Sequence, residues 1–163
     1  MYFKVLNNNM EQYGFQYKEG LNVDTNEFNS KANSFGLHFS DQTSIMSFLE
    51  YGDDLIAEVE VPIGEPIVSF KNDNSICYKA KRIILKNIRP LWKMDTFKYL
   101  IEECNVNVDY DDYLINVAIM SGCNDIADYL KNIRRNKNEK KIICFECGNK
   151  STDYVFKKSI RKY

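Results

Sequence analysis

Cys144-Phe145-Glu146-Cys147-Gly148 is the segment whose residue types and spacing come nearest to a known chemistry. Two thiolates on a tight turn make half of a zinc knuckle, and Gly148 permits the close backbone path. A structural zinc takes four ligands. No second Cys-x-x-Cys follows, so Cys144 and Cys147 need Cys104, Cys123 or His38 brought near by the fold, or a second chain. The expectation is no resident cofactor, with zinc on Cys144 and Cys147 as the alternative to free thiols.

Other charged clusters carry less. Arg134–Lys141, and Lys157-Lys158 with Arg161-Lys162, are basic runs near the end of the chain. They would attract phosphate, and Tyr154 and Phe156 could stack on bases, which makes nucleic acid a secondary partner. Solvated ends have the same composition. Glu102, Glu103, Asp109, Asp111 and Asp112 gather around one segment without the pairing of an acid and a base. An acidic interaction surface is the simpler reading. No Gly-rich phosphate loop, Ser-His-Asp set or metalloprotease helix is present.

The bulk numbers narrow the class. The chain has 163 residues, 44% of them hydrophobic, and a net charge of −1. That supports a genuine core and gives no overall attraction to nucleic acid or an anionic membrane. No apolar run approaches the roughly 18 residues of a membrane span. The start, Met1–Leu6, turns polar at Asn7-Asn8-Asn9 and lacks the apolar core of a signal peptide. Five unevenly spaced cysteines fit reduced thiols and an intracellular setting.

The positioning elements are read from periodicity. Tyr2–Leu6 predicts a strand with Phe3 and Val5 on one face. Residues 7–34 predict a long loop held by aromatics. Leu37–Phe39 is a short apolar segment. Thr43–Tyr51 predicts a helix capped by Asp41 and ended by Gly52. Asp54–Val61 alternates with period two, the mark of a strand with one buried face. Pro62–Pro66 breaks it, Ile67–Phe70 resumes extended structure, and Lys71–Asn74 predicts a turn. Cys77–Leu85 predicts a further strand, and Asn87–Pro90 closes the module. Beyond it, Phe97, Leu100, Ile101 and Cys104 follow helical spacing, as do Leu114, Val117 and Ala118, then Ile126, Ala127, Leu130 and Ile133. From Arg134 to Lys141 the last helix either runs on or loses order.

One pattern occurs twice. Met94-Asp95-Thr96-Phe97-Lys98-Tyr99-Leu100 and Asn124-Asp125-Ile126-Ala127-Asp128-Tyr129-Leu130 share Asp, Tyr and Leu at matching places. Helix, finger, helix, tight Gly turn, helix is the rhythm of a repeat with a period of about 33 residues; here the copies are slightly closer. Asp112–Leu130 resembles the ankyrin unit of large-DNA-virus proteins, although Cys123 stands where such units commonly carry a His. Gly14–Thr25, Gly36–Asp41 and Lys79–Leu85 resemble the head domain of mimivirus-type ankyrin-repeat proteins. The resemblance implies a giant-virus binding protein without catalysis, whose projecting finger meets a viral or host protein. Asn107, Asp109, Tyr110, Asp111 and Asp112 are the residues so implicated.

Gly36-Leu37-His38-Phe39-Ser40-Asp41 also resembles a segment of ADP-ribosyltransferase domains that helps to hold NAD. That resemblance implies an NAD-binding enzyme on the head module as the alternative, although His38 is the chain's single histidine and no second motif accompanies it. A zinc-dependent nucleic-acid adaptor through the tail is the third reading. The predicted fold class is α+β: a small mixed α/β head over residues 1–90, ankyrin-like helical pairs over 91–135, and a basic tail over 136–163. A stack of fewer than about three repeats does not stand alone. The helices must therefore share a core with the head, with Phe97, Leu100 and Ile101 at the junction and Trp92 covering it.

Overall fold

The computed structural model describes residues 1–28, 35–50, 52–72, 75–108 and 112–146; for residue 72 and residues 137–146 only the backbone is described. The architecture is α+β, as predicted. One antiparallel sheet of seven strands carries the head. The strands are β1 (Tyr2–Leu6), β4 (Gly20–Val23), β5 (Leu37–Asp41), β6 (Leu55–Glu60), β7 (Ile67–Asn72), β8 (Ser75–Ala80) and β9 (Arg82–Pro90), in the order β4-β9-β6-β1-β5-β8-β7. A separate hairpin pairs β2 (Glu11–Gln12) with β3 (Phe15–Gln16).

The connectivity forces the sheet to curl. β9 is second in the order and β8 sixth, yet only Lys81 lies between them in the chain. Four strand spacings in a flat sheet would be about 19 Å, whereas two residues reach roughly 7 Å. The sheet therefore wraps towards a barrel. The turn is pinned by Glu65, whose Oε1 accepts from the backbone N–H of Lys81 (3.0 Å) and Arg82 (3.2 Å) and whose Oε2 accepts from Arg82 Nε at 2.6 Å. This overturns the single strand expected over Cys77–Leu85, which is two strands on opposite sides of the sheet.

The inner face of the curl holds Leu6, Tyr17, Leu37, Phe39, Ala57, Val59, Ala80, Ile83 and Leu85. The outer face supplies Phe3, Val5 and Ile56 to a second cluster. Thus β6 buries Ile56 as well as the Ala57 side predicted from its alternation. A bulge lies opposite: Ile56 pairs with Arg89 but Glu58 with Lys86, and Asn87 takes a left-handed φ of 48° beside it.

Two further expectations change. Residues 7–34 are not all loop, since they contain the β2–β3 hairpin and β4. The latter is inverted in polarity: Asn22 faces inward and is buried, while Leu21 and Val23 are exposed. Asn22 Nδ2 donates to the carbonyls of Lys18 (2.8 Å) and Gly20 (2.9 Å), so its inward amide is satisfied. The helix expected over Thr43–Tyr51 is a short 3₁₀ turn, Ile45–Phe48. Asp41 does not cap the turn as expected: it accepts from the N–H of Thr43 at 2.9 Å and Ser44 at 3.1 Å, ahead of the first helical residue, and the N-cap, Ser44, makes no side-chain capping bond. Leu49 already has extended dihedrals, and Asp53 Oδ2 takes the N–H of Glu50 at 2.8 Å, so the chain leaves the helical path there.

The helical part follows its periodicity. α1 (Met94–Lys98) continues as a π turn, Tyr99–Glu103; α2 (Tyr113–Met120) and α3 (Asn124–Glu146) form an antiparallel pair. The α3 backbone stays helical through the basic stretch. Between α2 and α3, Gly122 takes φ 75°, a left-handed conformation that glycine adopts without a Cβ penalty. The N–H of Gly122 bonds Ile119 O and that of Cys123 bonds Ala118 O, each at 2.9 Å, which satisfies carbonyls at the end of α2.

Phe97, Leu100, Leu114, Ala118, Ile126 and Leu130 lie in one cluster with Phe3, Val5, Ile45, Met46, Leu49 and Ile56. Sheet and helices thus share a core across the junction. Trp92 stacks on Phe97 with ring centroids 5.8 Å apart, in the covering position expected of it.

Candidate functional site

Polar contacts fasten the helical segment to the head besides the apolar seam. Trp92 Nε1 donates to Asp53 O at 2.8 Å. Tyr99 donates its hydroxyl to Glu58, and Tyr113 donates its own to Leu49 O. The N–H of Asn107 donates to Gln42 O at 2.8 Å. Arg89 also lies over the Tyr99 ring, 3.9 Å from its centroid. The Tyr99 hydroxyl is pushed well above its ordinary range by hydrogen bonding to Cys104 and Glu58, with burial adding to the effect. It therefore remains a donor at all ordinary pH values.

These tethers fix the flanks of the predicted finger. Asn107 is half-buried and anchored at its base. Asp112 is exposed at the start of α2, and its Oδ1 accepts from Arg134 Nη1 of α3 at 2.6 Å. Asp109, Tyr110 and Asp111 lie outside the described residues, so only two of the five predicted contact residues have a described place. Next to them, α2 turns Tyr113, Ile119 and Met120 to solvent, with Met120 66% exposed. On α3, Asp125 and Asp128 are also exposed, and Asp128 accepts from Lys131 Nζ at 3.0 Å.

The predicted metal pair has no described geometry. Cys147 is outside the described residues and Cys144 is described by backbone alone. Of the helpers considered for them, Cys104 is buried in the shared core, Cys123 packs against that core, and His38 sits on β5 in the head. Among the described residues, no group of three His, Cys, Asp or Glu side chains is placed to hold a metal.

His38 is a half-buried strand residue. Its ring meets Phe70 edge-on at 5.7 Å. Its carbonyl accepts from Lys4 Nζ at 2.9 Å, in a part of the head that sequence patterning did not single out. Pairing between β1 and β5 is confined to Tyr2↔Asp41 and Phe3↔Ser40, whereas β1 pairs with β6 along its whole length. Beyond Phe3 the two strands part, and a cleft of about 990 Å³ opens there. Lys4 lines it, only 3% exposed. The ammonium donates to Gln12 Oε1 at 2.5 Å and lies 4.5 Å from the Tyr17 ring centroid. Burial depresses its pKa to about 8, partly offset by Cys77 and Asp53. Burial likewise raises the Cys77 thiol to about 11. In sequence, Lys4 between Phe3 and Val5 looks like an outward-facing residue of an alternating strand, so no local signal marked it.

Against known proteins, the chain is 34% identical over 135 residues to the uncharacterized protein R869 of Acanthamoeba polyphaga mimivirus, covering 80% of this chain and 96% of that protein. The chain belongs to this family of mimivirus proteins. A second mimivirus member, provisionally named ankyrin repeat protein R868, is 31% identical over 150 residues, covering 89% of this chain and 70% of its own length. A third, R229, provisionally named in the same way, is 34% identical over 103 residues, which make up 58% of this chain but 33% of that protein. This mimivirus family therefore includes both R869, which the chain spans almost completely, and longer members of which it spans a part. No protein-family model matches the chain. No solved structure matches it either.

Proposed function

We propose that this member of the mimivirus family is a non-enzymatic interaction protein. It recognises a viral or host protein through its ankyrin-like helical hairpin and the adjoining finger. The setting is the infected cell or the virion. The observation that carries the reading is the α2–α3 pair, closed by the Gly122 turn and held on the sheet by a shared core, with Tyr113, Ile119 and Met120 left facing solvent. Isolated exposed apolar residues need no explanation. Three on one short helix, on a support tethered to the sheet by a shared core and by hydrogen bonds, have the composition of a contact surface. The provisional ankyrin-repeat names of longer relatives support the same class of role.

The reading is tested by affinity capture from infected cells with the wild-type chain and two double variants, Tyr110→Ala with Asp111→Ala, and Ile119→Glu with Met120→Glu. A protein retained by the wild type should be lost by at least one of the variants while the melting temperature stays within a few degrees. Equal retention by all three chains would remove the hairpin and finger from the account.

A further inference from the structure

The cleft between β1 and β5 combines two features that the interaction surface does not explain. The first is a buried ammonium that no described carboxylate touches, Asp53 acting on it only from a distance. Among the described residues, no carboxylate lies within 4.0 Å of Lys4 Nζ; its contacts are the neutral oxygens of Gln12 and His38 and the face of Tyr17. Burying an unpaired charge is costly, and a methionine of similar length would fill the same space without that penalty.

The second feature is Tyr13. It lies at the tip of the β2–β3 hairpin with φ 52°, followed by Gly14 at φ 76°. Two successive left-handed residues make the tight turn that favours Asn-Gly or Asp-Gly, so a tyrosine at the first place is a poor choice for the turn. Nor does it serve a core, because it is 89% exposed. It is nevertheless one of the residues lining the same cleft as Lys4, with Phe15 and Phe70. Strain at an exposed aromatic beside an unpaired buried cation is a combination that folding alone does not select.

We propose that this cleft is a binding site for a small aromatic anion, whose carboxylate or phosphate takes the place of the Gln12 oxygen at Lys4 while its ring packs against Tyr13. The cleft volume suits one such molecule with room for substituents. Gln12 already shows where the anionic oxygen sits, because its Oε1 faces the ammonium at hydrogen-bond distance. Gln12 and Tyr13 belong to one short hairpin outside the main sheet, so a ligand that displaces one also meets the other. The cleft meets the helical surface proposed above at Tyr113, which also lines it, but Lys4, Gln12 and Tyr13 take no part in that surface, so either proposal can fail without the other.

The test is calorimetric titration of the full chain with phenyl phosphate and benzoate, using inorganic phosphate and phenol as controls for the charge and the ring alone. At least one aromatic anion should bind about 10-fold or more tightly than both controls; which one is preferred separates phosphate from carboxylate recognition. Lys4→Met should weaken that binding by about 10-fold or more, the size of a lost charge-assisted hydrogen bond. Tyr13→Gly should weaken it by about threefold, without lowering the melting temperature. Gln12→Glu places a carboxylate on the ammonium from within the chain; it should abolish binding, and it keeps the test open should Lys4→Met not fold. The proposal is overturned if neither aromatic anion binds better than the controls, or if a folded Lys4→Met or Gln12→Glu variant binds like the wild type.

Discussion

The two faces of the curled sheet are built on opposite principles. Where the outer face meets the helices it is an apolar seam, Phe3, Val5 and Ile56 against Phe97, Leu100 and Leu114; the buried polar residues of that face, Ser40 and Lys79, lie on β5 and β8. The inner side encloses an apolar cluster too, but admits Lys4, Asn22 and Asp24 among its buried residues. Each of these polar groups is hydrogen-bonded: Asp24, for example, accepts from the N–H of Gly36 at 2.7 Å and of Asn26 at 2.9 Å. The seam is what a small helical unit requires in order to stay folded. The interior is more polar than stability alone asks for. The difference separates the part of the molecule that holds it together from the part that can accept a ligand.

The largest expected effect tests the seam. Phe97 is fully buried at the junction, and Phe97→Ala should destabilise the chain by about 3–5 kcal/mol, read from the shift in urea midpoint. A loss below about 1 kcal/mol would mean that the seam is not the main support of the hairpin.

Next comes the charged interior. Folded Lys4 loses its proton near pH 8, whereas its unperturbed value is 10.5. Between these values the unfolded chain binds more protons, so the lysine's penalty falls and stability rises with pH. Relative to Lys4→Met, the wild type should gain on the order of 3 kcal/mol between pH 7.5 and pH 10.5. The Cys77 thiol, raised from 9.0 to about 11, lowers stability with pH between those values, but both chains carry it and the comparison cancels it. Parallel stability profiles for the two chains would show that the ammonium is not desolvated.

Smaller effects separate backbone geometry from surface charge within the hairpin. Gly122→Ala should cost about 1–2 kcal/mol, because the added Cβ meets no neighbour and only the left-handed backbone opposes it. Arg134→Ala should cost less than about 1 kcal/mol, since its partner Asp112 is largely solvated and Arg134 itself partly so. Urea titration measures both. The reverse order would place the hairpin's stability in its surface rather than its turn and core.

The sequence made some of this plain and hid the rest for identifiable reasons. β1, β6 and the helices were legible because Phe3/Val5, Ala57/Val59 and Leu114/Val117/Ala118 carry the period of their element. β4 was not, because its inward residue is Asn22 and its outward ones are Leu21 and Val23, the reverse of the expected pattern. The break at Lys81 was hidden because the signal lies in Glu65, sixteen residues away, holding two backbone N–H groups. Lys4 was missed because alternation shows which residues share a face, but not that the sheet curls and gives both faces an interior. The Gly36–Asp41 segment was noticed for its family resemblances; what the structure adds is that the carbonyl of His38 faces a buried lysine across a gap in the sheet. Of the predicted finger, Asn107 and Asp112 have described places, and Asp109, Tyr110 and Asp111 do not.

Equilibrium urea unfolding of the wild-type chain, followed both by Trp92 fluorescence at the junction and by far-ultraviolet circular dichroism of the whole, tests the common core most directly. A shared seam predicts one transition with coincident midpoints in both signals. Two separated transitions, with the helical signal lost while the sheet persists, would contradict it.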